Sequence, residues 1–326
     1  MFLTSAGTWY QPAITGANLV KIDPIVVPGF NPNQASITEL LIPAEIESGR
    51  VWISRGELQF RVMVSEGGIP FITEPSALDL TDDTSWGFLE LTSSKRNGLY
   101  ANLSFVDFVG LALSMVLVLN SDQIQTVIGT PHNALTSICD ALNVQTRVDG
   151  IPWGKLCILA DDGRPLRVLS PNLYEAANPG ATEGYYHQYV TQVWKKYSSH
   201  DLYIDTQSWA GLVRCMVDAN EEMVCDGDNR AYARPNTADI WGCNTGPFSI
   251  REHDNYIHRL IVPRLCAAFS RTTLLMDKGE SNQRLAIPAI ISIALQIITV
   301  ALFIRMKLTE KDMHFRMMMS TLLQRT

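Results

Sequence analysis

Two carboxylates stand in unusual company. Glu90 lies inside Phe88-Leu89-Glu90-Leu91-Thr92, and Asp107 lies inside Phe105-Val106-Asp107-Phe108-Val109. Burying an ionised carboxylate among large apolar side chains is costly, because nothing there replaces its water. A carboxyl kept protonated in such surroundings can donate a proton, which suits a general acid at mild pH. The alternative is that each acid sits on the wet face of a half-exposed strand or is satisfied by hydrogen bonds. For one acid the second reading is the better; for two on neighbouring strands the readings stand level. Other chemistry leaves no mark. There is no phosphate-binding glycine loop, no dinucleotide fingerprint, no His-Glu-x-x-His and no Gly-x-Ser-x-Gly elbow. The six histidines, among them His132, His187, His253 and His258, are scattered. No metal site, catalytic triad or cofactor is expected.

The elements that must carry these acids read as strands. Val51–Ser54, Leu58–Val64, Phe88–Thr92, Leu99–Phe108 and Leu111–Leu119 are short runs rich in β-branched or aromatic residues. Pro28-Gly29, Glu66-Gly67-Gly68 and Arg96-Asn97-Gly98 punctuate them. Asn97-Gly98 predicts a hairpin, since both residues accept positive φ. A regular hairpin there sets Glu90 opposite residue 102 or 103. Asp107 then falls four or five positions further, ~13 Å or more at ~3.3 Å per residue, so a bulge, strong twist or looser pairing must bring the acids together. From residue 120 the pattern changes. Thr130-Pro131 resembles a helix start, followed by Ala134, Leu135, Ile138, Ala141 and Leu142 at helical spacing. A second helix is predicted over Tyr185–Tyr197, with Tyr186, Tyr189, Val190, Val193, Trp194 and Tyr197 forming a core stripe. Leu166–Leu169, Leu202–Thr206 and Gly211–Val217 read as strands, and Leu260–Leu275 as one apolar segment. The expected fold class is mainly β with an α/β lobe. Residues 1–119 and about 236–284 form the β part, 120–235 the lobe, and 285–326 an aberrant tail.

The chain has 326 residues, with 26 Lys+Arg against 33 Asp+Glu and a formal net charge of −7. Apolar residues make up 46% and charged residues 18%, which excludes a disordered chain. The acidic balance, without clustered Lys and Arg, argues against nucleic acid but not against a neutral polysaccharide. Six cysteines allow full pairing. Cys215 and Cys225 flank a hairpin-sized segment, and Cys243 and Cys266 could tie two later segments together. The reading is a disulfide-bearing, exported protein; scattered buried thiols are the alternative. Met1–Tyr10 lacks a basic n-region and an apolar h-region, so the chain is either cytosolic or started further upstream.

Several stretches together resemble glycoside hydrolase family 64, β-1,3-glucanases with a thaumatin-like β sandwich or barrel and a mixed α/β subdomain. The family pattern is a Glu, a Thr two residues on, an aromatic, then Thr/Ser-x-x-Asp. Glu90, Thr92, Tyr100 and Ser104-x-x-Asp107 match it in order. Asp149-Gly150-Ile151-Pro152-Trp153, Leu166–Pro171, Asp239–Phe248 and Val262–Phe269 resemble its fungal members. The resemblance spans about residues 1–280. It implies an inverting, endo-acting β-1,3-glucan hydrolase with Glu90 as general acid and Asp107 as general base. Thr92 and Ser104 would hydrogen-bond sugar hydroxyls, and Tyr100 would offer a stacking face or simply pack in its strand. It also implies a β-1,3-glucan polysaccharide partner, a monomer, and an extracellular or cell-wall location. The sequon Asn102-Leu103-Ser104 reads as chance. The rival readings are a non-catalytic β-glucan-binding thaumatin-like protein and a tail-anchored membrane protein.

The tail departs from this resemblance. Leu285–Ile304 is 20 residues without a charge, followed by Arg305 and Lys307. At ~1.5 Å per residue it would span ~30 Å, a bilayer's hydrocarbon thickness. Pro288, Ser292, Gln296 and Thr299 interrupt it. The family instead closes with β structure containing a Tyr-Asp-Asp-like segment. Met has a single codon, so Met317-Met318-Met319 read from the third base yields two consecutive Asp codons. The expectation is a frame change beginning between about Gly279 and Ile291, with a membrane anchor as the alternative.

Overall fold

The computed structural model describes residues 45–276, apart from 80–82, 97 and 119–123, and, ahead of these, residues 2–3, 8–10, 12–14 and 19–20. They fall into two compact units, divided between Ser170 and Pro171.

In the first unit every strand pairing is antiparallel and every sheet small. The site rests on the sheet of Ile46–Arg55, Ser85–Ser94 and Gly98–Leu103, with Ser85–Ser94 in the middle. Gly98 takes φ 75°, and the predicted hairpin forms around it; Asn97 lies outside the described residues. A hairpin of Phe60–Val64 and Pro70–Thr73 intervenes in sequence and builds a separate sheet with Leu19–Val20. Phe108–Val109 joins Pro165–Leu169 and Cys157–Leu159 in a third sheet. Trp86, Phe88 and Phe108 pack as one aromatic cluster, with centroids 4.4 Å apart for Trp86–Phe108 and 6.1 Å for Phe88–Phe108. Arg167 is buried and survives there by donating to the carbonyls of Ala77, Asp79 and Thr84. The helix Ala134–Asp149 ends on Gly150, whose φ of 76° suits a left-handed cap. Its cap position is Asn133, not the expected Thr130, and only Cys139 on it is fully buried. Of the expected stripe, Ala134, Leu135, Ile138 and Leu142 are half-buried and Ala141 is exposed.

The second unit layers helices on the sheet Leu202–Asp205, Leu212–Val217, Met223–Cys225. His187–Tyr197 buries Val190, Val193, Trp194 and Tyr197, as its stripe predicts. The helix Tyr256–Ser270, which overlaps the expected apolar segment Leu260–Leu275 but begins before it, buries Ile261, Leu265, Cys266 and Phe269. Disulfides join Cys139–Cys157, Cys215–Cys225 and Cys243–Cys266. The last two are the pairs the spacing suggested. Beneath the sheet, fully buried His258 binds Asp228 through Nδ1 at 2.9 Å and faces Arg230 through Nε2 at 2.6 Å. Arg230 also pairs with Asp254 at 2.9 Å.

The expected fold class, mainly β with an α/β lobe, is met in part: helix and strand occur in comparable amounts among the described residues, a mixed content consistent with a β-rich fold. Among the described residues no sheet closes into a barrel. Register shifts interrupt two ladders, between Ile46 and Gly49 and between Ile158 and Leu159, and Gly98–Leu103 ends where the chain departs. Among the described residues no helix is long and apolar enough to cross a membrane. The segment 285–304 lies outside them, as does the whole of the tail.

Candidate active site

Along Ser85–Ser94 every residue is buried except Glu90 and Thr92, which are half-buried. Two residues apart on a strand, they share one face. The register puts Arg50 on one side of Glu90 and Asn102 on the other, and Tyr100 beside Thr92. Paired residues also share a face, so five polar or aromatic side chains line one side of the sheet at the only places where its central strand is open. Glu90 faces Asn102, one of the two residues the hairpin register allows.

Arg50 organises the Glu90 end. Its Nε donates to Glu90 Oε1 at 3.0 Å and its Nη2 lies 2.9 Å from the same oxygen. Its Nη1 pairs with Glu74. Its guanidinium sits over the Phe88 ring, 5.0 Å from the centroid. One cation thus joins two carboxylates and is held flat on an aromatic face. At the other end, Thr92 Oγ1 accepts from the Ser48 backbone N–H at 3.1 Å, leaving its own hydroxyl hydrogen to donate. Tyr100 is half-buried.

Ser104 and Asp107 belong to the chain beyond the ladder. Ser104 is buried, and its N–H donates to the Phe88 carbonyl at 3.3 Å. The chain then leaves and returns only at Leu111, whose N–H donates to the Trp86 carbonyl at 3.1 Å. Residues 105–110 are therefore an excursion. Gly110 permits the return, because a Cβ there would lie 1.9 Å from the Trp86 carbonyl oxygen. Asp107 occupies this excursion as an exposed residue, its carbonyl accepting from Ser170 N–H at 2.7 Å. Phe108, next in line and 3% exposed, pins it to the aromatic cluster.

The premise that both acids are walled in by apolar side chains is thus overturned. The Glu90 side chain is 35% exposed, and Asp107 is in an exposed bend rather than a strand. The predicted strand Leu99–Phe108 stops at Leu103, so the alternation that enclosed Asp107 does not reach it. A regular ladder would carry Asp107 down to Ser85. Instead the chain leaves the sheet at the level of Phe88, two residues or about 7 Å along the strand from Glu90, and rejoins it at the level of Trp86, so Asp107 stands off the ladder.

Arg50, Asn102 and Glu74 were not picked out as site residues by sequence. Asn102 follows from the hairpin register. Arg50 and Glu74 flank an intervening hairpin, and no local signal reports which strand lies beside Ser85–Ser94.

The likeness to known proteins runs through this sheet and beyond it. The family model for Glyco_hydro_64, described as β-1,3-glucanase, matches residues 1–287. The chain belongs to glycoside hydrolase family 64. A glucan endo-1,3-β-glucosidase of Cellulosimicrobium cellulans is 24% identical over 241 residues, covering 72% of this chain and 42% of the relative. One of Arthrobacter sp. (strain YCWD3) is 23% identical with the same coverage. The chain thus matches less than half the length of these family relatives. In fold it is similar to a laminaripentaose-producing β-1,3-glucanase crystallised with laminaritetraose. The TM-score is 0.54 at 24% identity, covering 71% of this chain and 61% of that one.

Proposed function

We propose that this family 64 chain hydrolyses internal linkages of β-1,3-glucan with inversion at the anomeric carbon. Glu90 protonates the departing glycosidic oxygen, and Asp107 takes a proton from the water that attacks the opposite face. Such a pair must stand ~6.5–9.5 Å apart to admit the water. Thr92 and Ser104 hydrogen-bond sugar hydroxyls, and Tyr100 gives a ring on which a pyranose stacks. Arg50 holds Glu90 from one side, and Asn102 stands opposite it in the register on the other. The observation that carries this reading is the opening of an otherwise buried strand at Glu90 and Thr92 alone, with the excursion bearing Asp107 leaving the same sheet about two residues away. The family match and the relatives' names support the substrate class.

In this reading the β part is thaumatin-like, and the protein works outside the cell, where its three disulfides persist. The aberrant tail reflects a change of reading frame; in support, the family match ends at residue 287. Transcript reads across codons 279–291 test that point, and an unbroken frame through the tail refutes it.

The test of function is reducing-sugar release from a linear β-1,3-glucan. Glu90→Gln and Asp107→Asn each abolish it while leaving binding to the glucan intact. Release by neither variant nor wild type, with binding retained, favours the non-catalytic glucan-binding protein.

A further inference from the structure

The second unit carries an aromatic surface that the proposed hydrolysis does not use. Trp209 is 79% exposed and Tyr256 53% exposed, although both side chains are among those most readily buried. Their rings lie parallel within 5°, with centroids 5.8 Å apart. Leu212, 63% exposed, stands at the start of the adjoining strand.

Neither ring is displayed by accident of a loose loop. The turn that carries Trp209 is closed by hydrogen bonds from Thr206 N and Thr206 Oγ1 to the Gly211 carbonyl, at 2.9 and 2.7 Å. Ser208 Oγ bonds Thr206 Oγ1 at 3.0 Å and accepts from Ala210 N–H at 3.2 Å. Asp205 Oδ1 accepts from Gln207 N–H at 2.8 Å. Gln207 is held at φ 52°, a left-handed conformation that a side chain normally avoids. Tyr256 opens the helix Tyr256–Ser270, and the Asn255 cap before it is fixed through Asn229 and the Gly227 carbonyl. Rigid display of a large apolar ring to water marks a binding surface.

We propose that Trp209 and Tyr256 form a glucan-holding platform, distinct from the residues that cleave. The proposal rests on the reading of this chain as a β-1,3-glucan hydrolase and adds two residues of the second unit to those that grip the polymer. The chemistry favours a neutral sugar over other partners. Two rings and a leucine fall far short of the roughly 1,000 Å² that a stable protein interface needs. The segment Tyr203–Leu212 contains one Asp and no Lys or Arg, so it does not suit a nucleic acid or an anionic membrane. The two rings stack on one another, so a pyranose would lay its apolar face on the outer face of Trp209, which Tyr256 backs.

The experiment measures depletion of the full chain from solution by insoluble linear β-1,3-glucan particles. Cleavage of short, soluble β-1,3-gluco-oligosaccharides is measured beside it. Trp209→Ala and Tyr256→Ala should each weaken particle binding about tenfold, the scale of losing one stacked ring. Cleavage of the short oligosaccharides and the melting temperature should stay at the wild-type level, and Trp209→Phe should restore binding. Glu90→Gln should show the reverse, with particle binding kept and cleavage lost. Wild-type particle binding by Trp209→Ala overturns the platform, and so does a parallel loss of short-substrate cleavage. A wild-type chain that neither binds nor cleaves β-1,3-glucan overturns the proposed function, and the platform with it.

Discussion

Arg50 is the side chain whose removal tests the site most finely. It holds Glu90 at 2.9–3.0 Å, pairs with Glu74 and covers Phe88. The side chains of Arg50 and Glu90 are 32% and 35% exposed, and that of Glu74 is 54% exposed. Ion pairs so open to water are worth ~0.2–1 kcal/mol, and screening sets the Glu74 pair at the low end. The guanidinium over Phe88 adds ~0.5–1 kcal/mol. Arg50→Ala should therefore lower stability by about 1–2 kcal/mol, read as a shift of the urea midpoint with an unchanged slope. Arg50→Met keeps the apolar cover and isolates the charge. A double-mutant cycle with Glu90→Gln should return a coupling of ~0.5–1 kcal/mol, larger than the cycle with Glu74→Gln. On linear β-1,3-glucan, kcat should fall about tenfold, equivalent to ~1.4 kcal/mol, with KM nearly unchanged, because Arg50 positions the acid rather than the substrate. Glu74→Gln should leave kcat near wild type. Full activity in Arg50→Ala, or a loss in Glu74→Gln as large as in Arg50→Ala, would refute the role given to Arg50.

Phe108→Ala should cost ~3–5 kcal/mol, since a 3%-exposed ring leaves the Trp86–Phe88 cluster. The milder Phe108→Leu should keep the fold and still lower kcat by loosening Asp107, as urea melts and initial rates will report. Replacing Cys243 and Cys266 by Ser opens a loop of 23 residues, worth ~3.4 kcal/mol on the chain-entropy account, measurable as a lower melting temperature. Acid should weaken the second unit. Burial pushes the carboxyls of Asp254 and Glu175 up, but their bonds pull them below the ordinary range: Arg251 N–H and Arg230 for Asp254, Thr182 and Gly180 N–H for Glu175. A carboxyl lowered on folding stabilises above its unfolded pKa and loses that contribution as pH falls through the folded one. The urea midpoint should be flat above about pH 5 and drop below about pH 4, less steeply in Asp254→Asn.

Legibility followed the range of the signal. The Asn97-Gly98 turn is local, and it fixes the pairing of Glu90 with Asn102. The stripe from Tyr186 to Tyr197 is local too, and its buried face is the predicted one. Cys215 and Cys225 stand directly opposite in neighbouring strands, so their spacing alone suggested the bond. The site's remaining parts depend on distant chain. Arg50 reaches Glu90 across 40 residues and an intervening hairpin. The excursion that carries Asp107 is set by Gly110 meeting Trp86 and by Phe108 packing on the aromatic cluster; neither is a periodic pattern. An apolar run around an acid says that neighbours are large, not that they enclose it. In Ala134–Asp149 the helical period finds the helix, but its one fully buried residue is Cys139, outside the expected stripe, and Ala141 within the stripe is exposed; packing partners decide which face is covered.

The claim at the centre is that Glu90 and Asp107 act from opposite sides of one β-1,3 linkage with a water between them. Proton NMR of the first turnovers on a linear β-1,3-glucan reads the anomer released before mutarotation scrambles it. The account predicts the α-anomer, formed by wild type and absent with Glu90→Gln. Release of the β-anomer would mean retention of configuration and would contradict it.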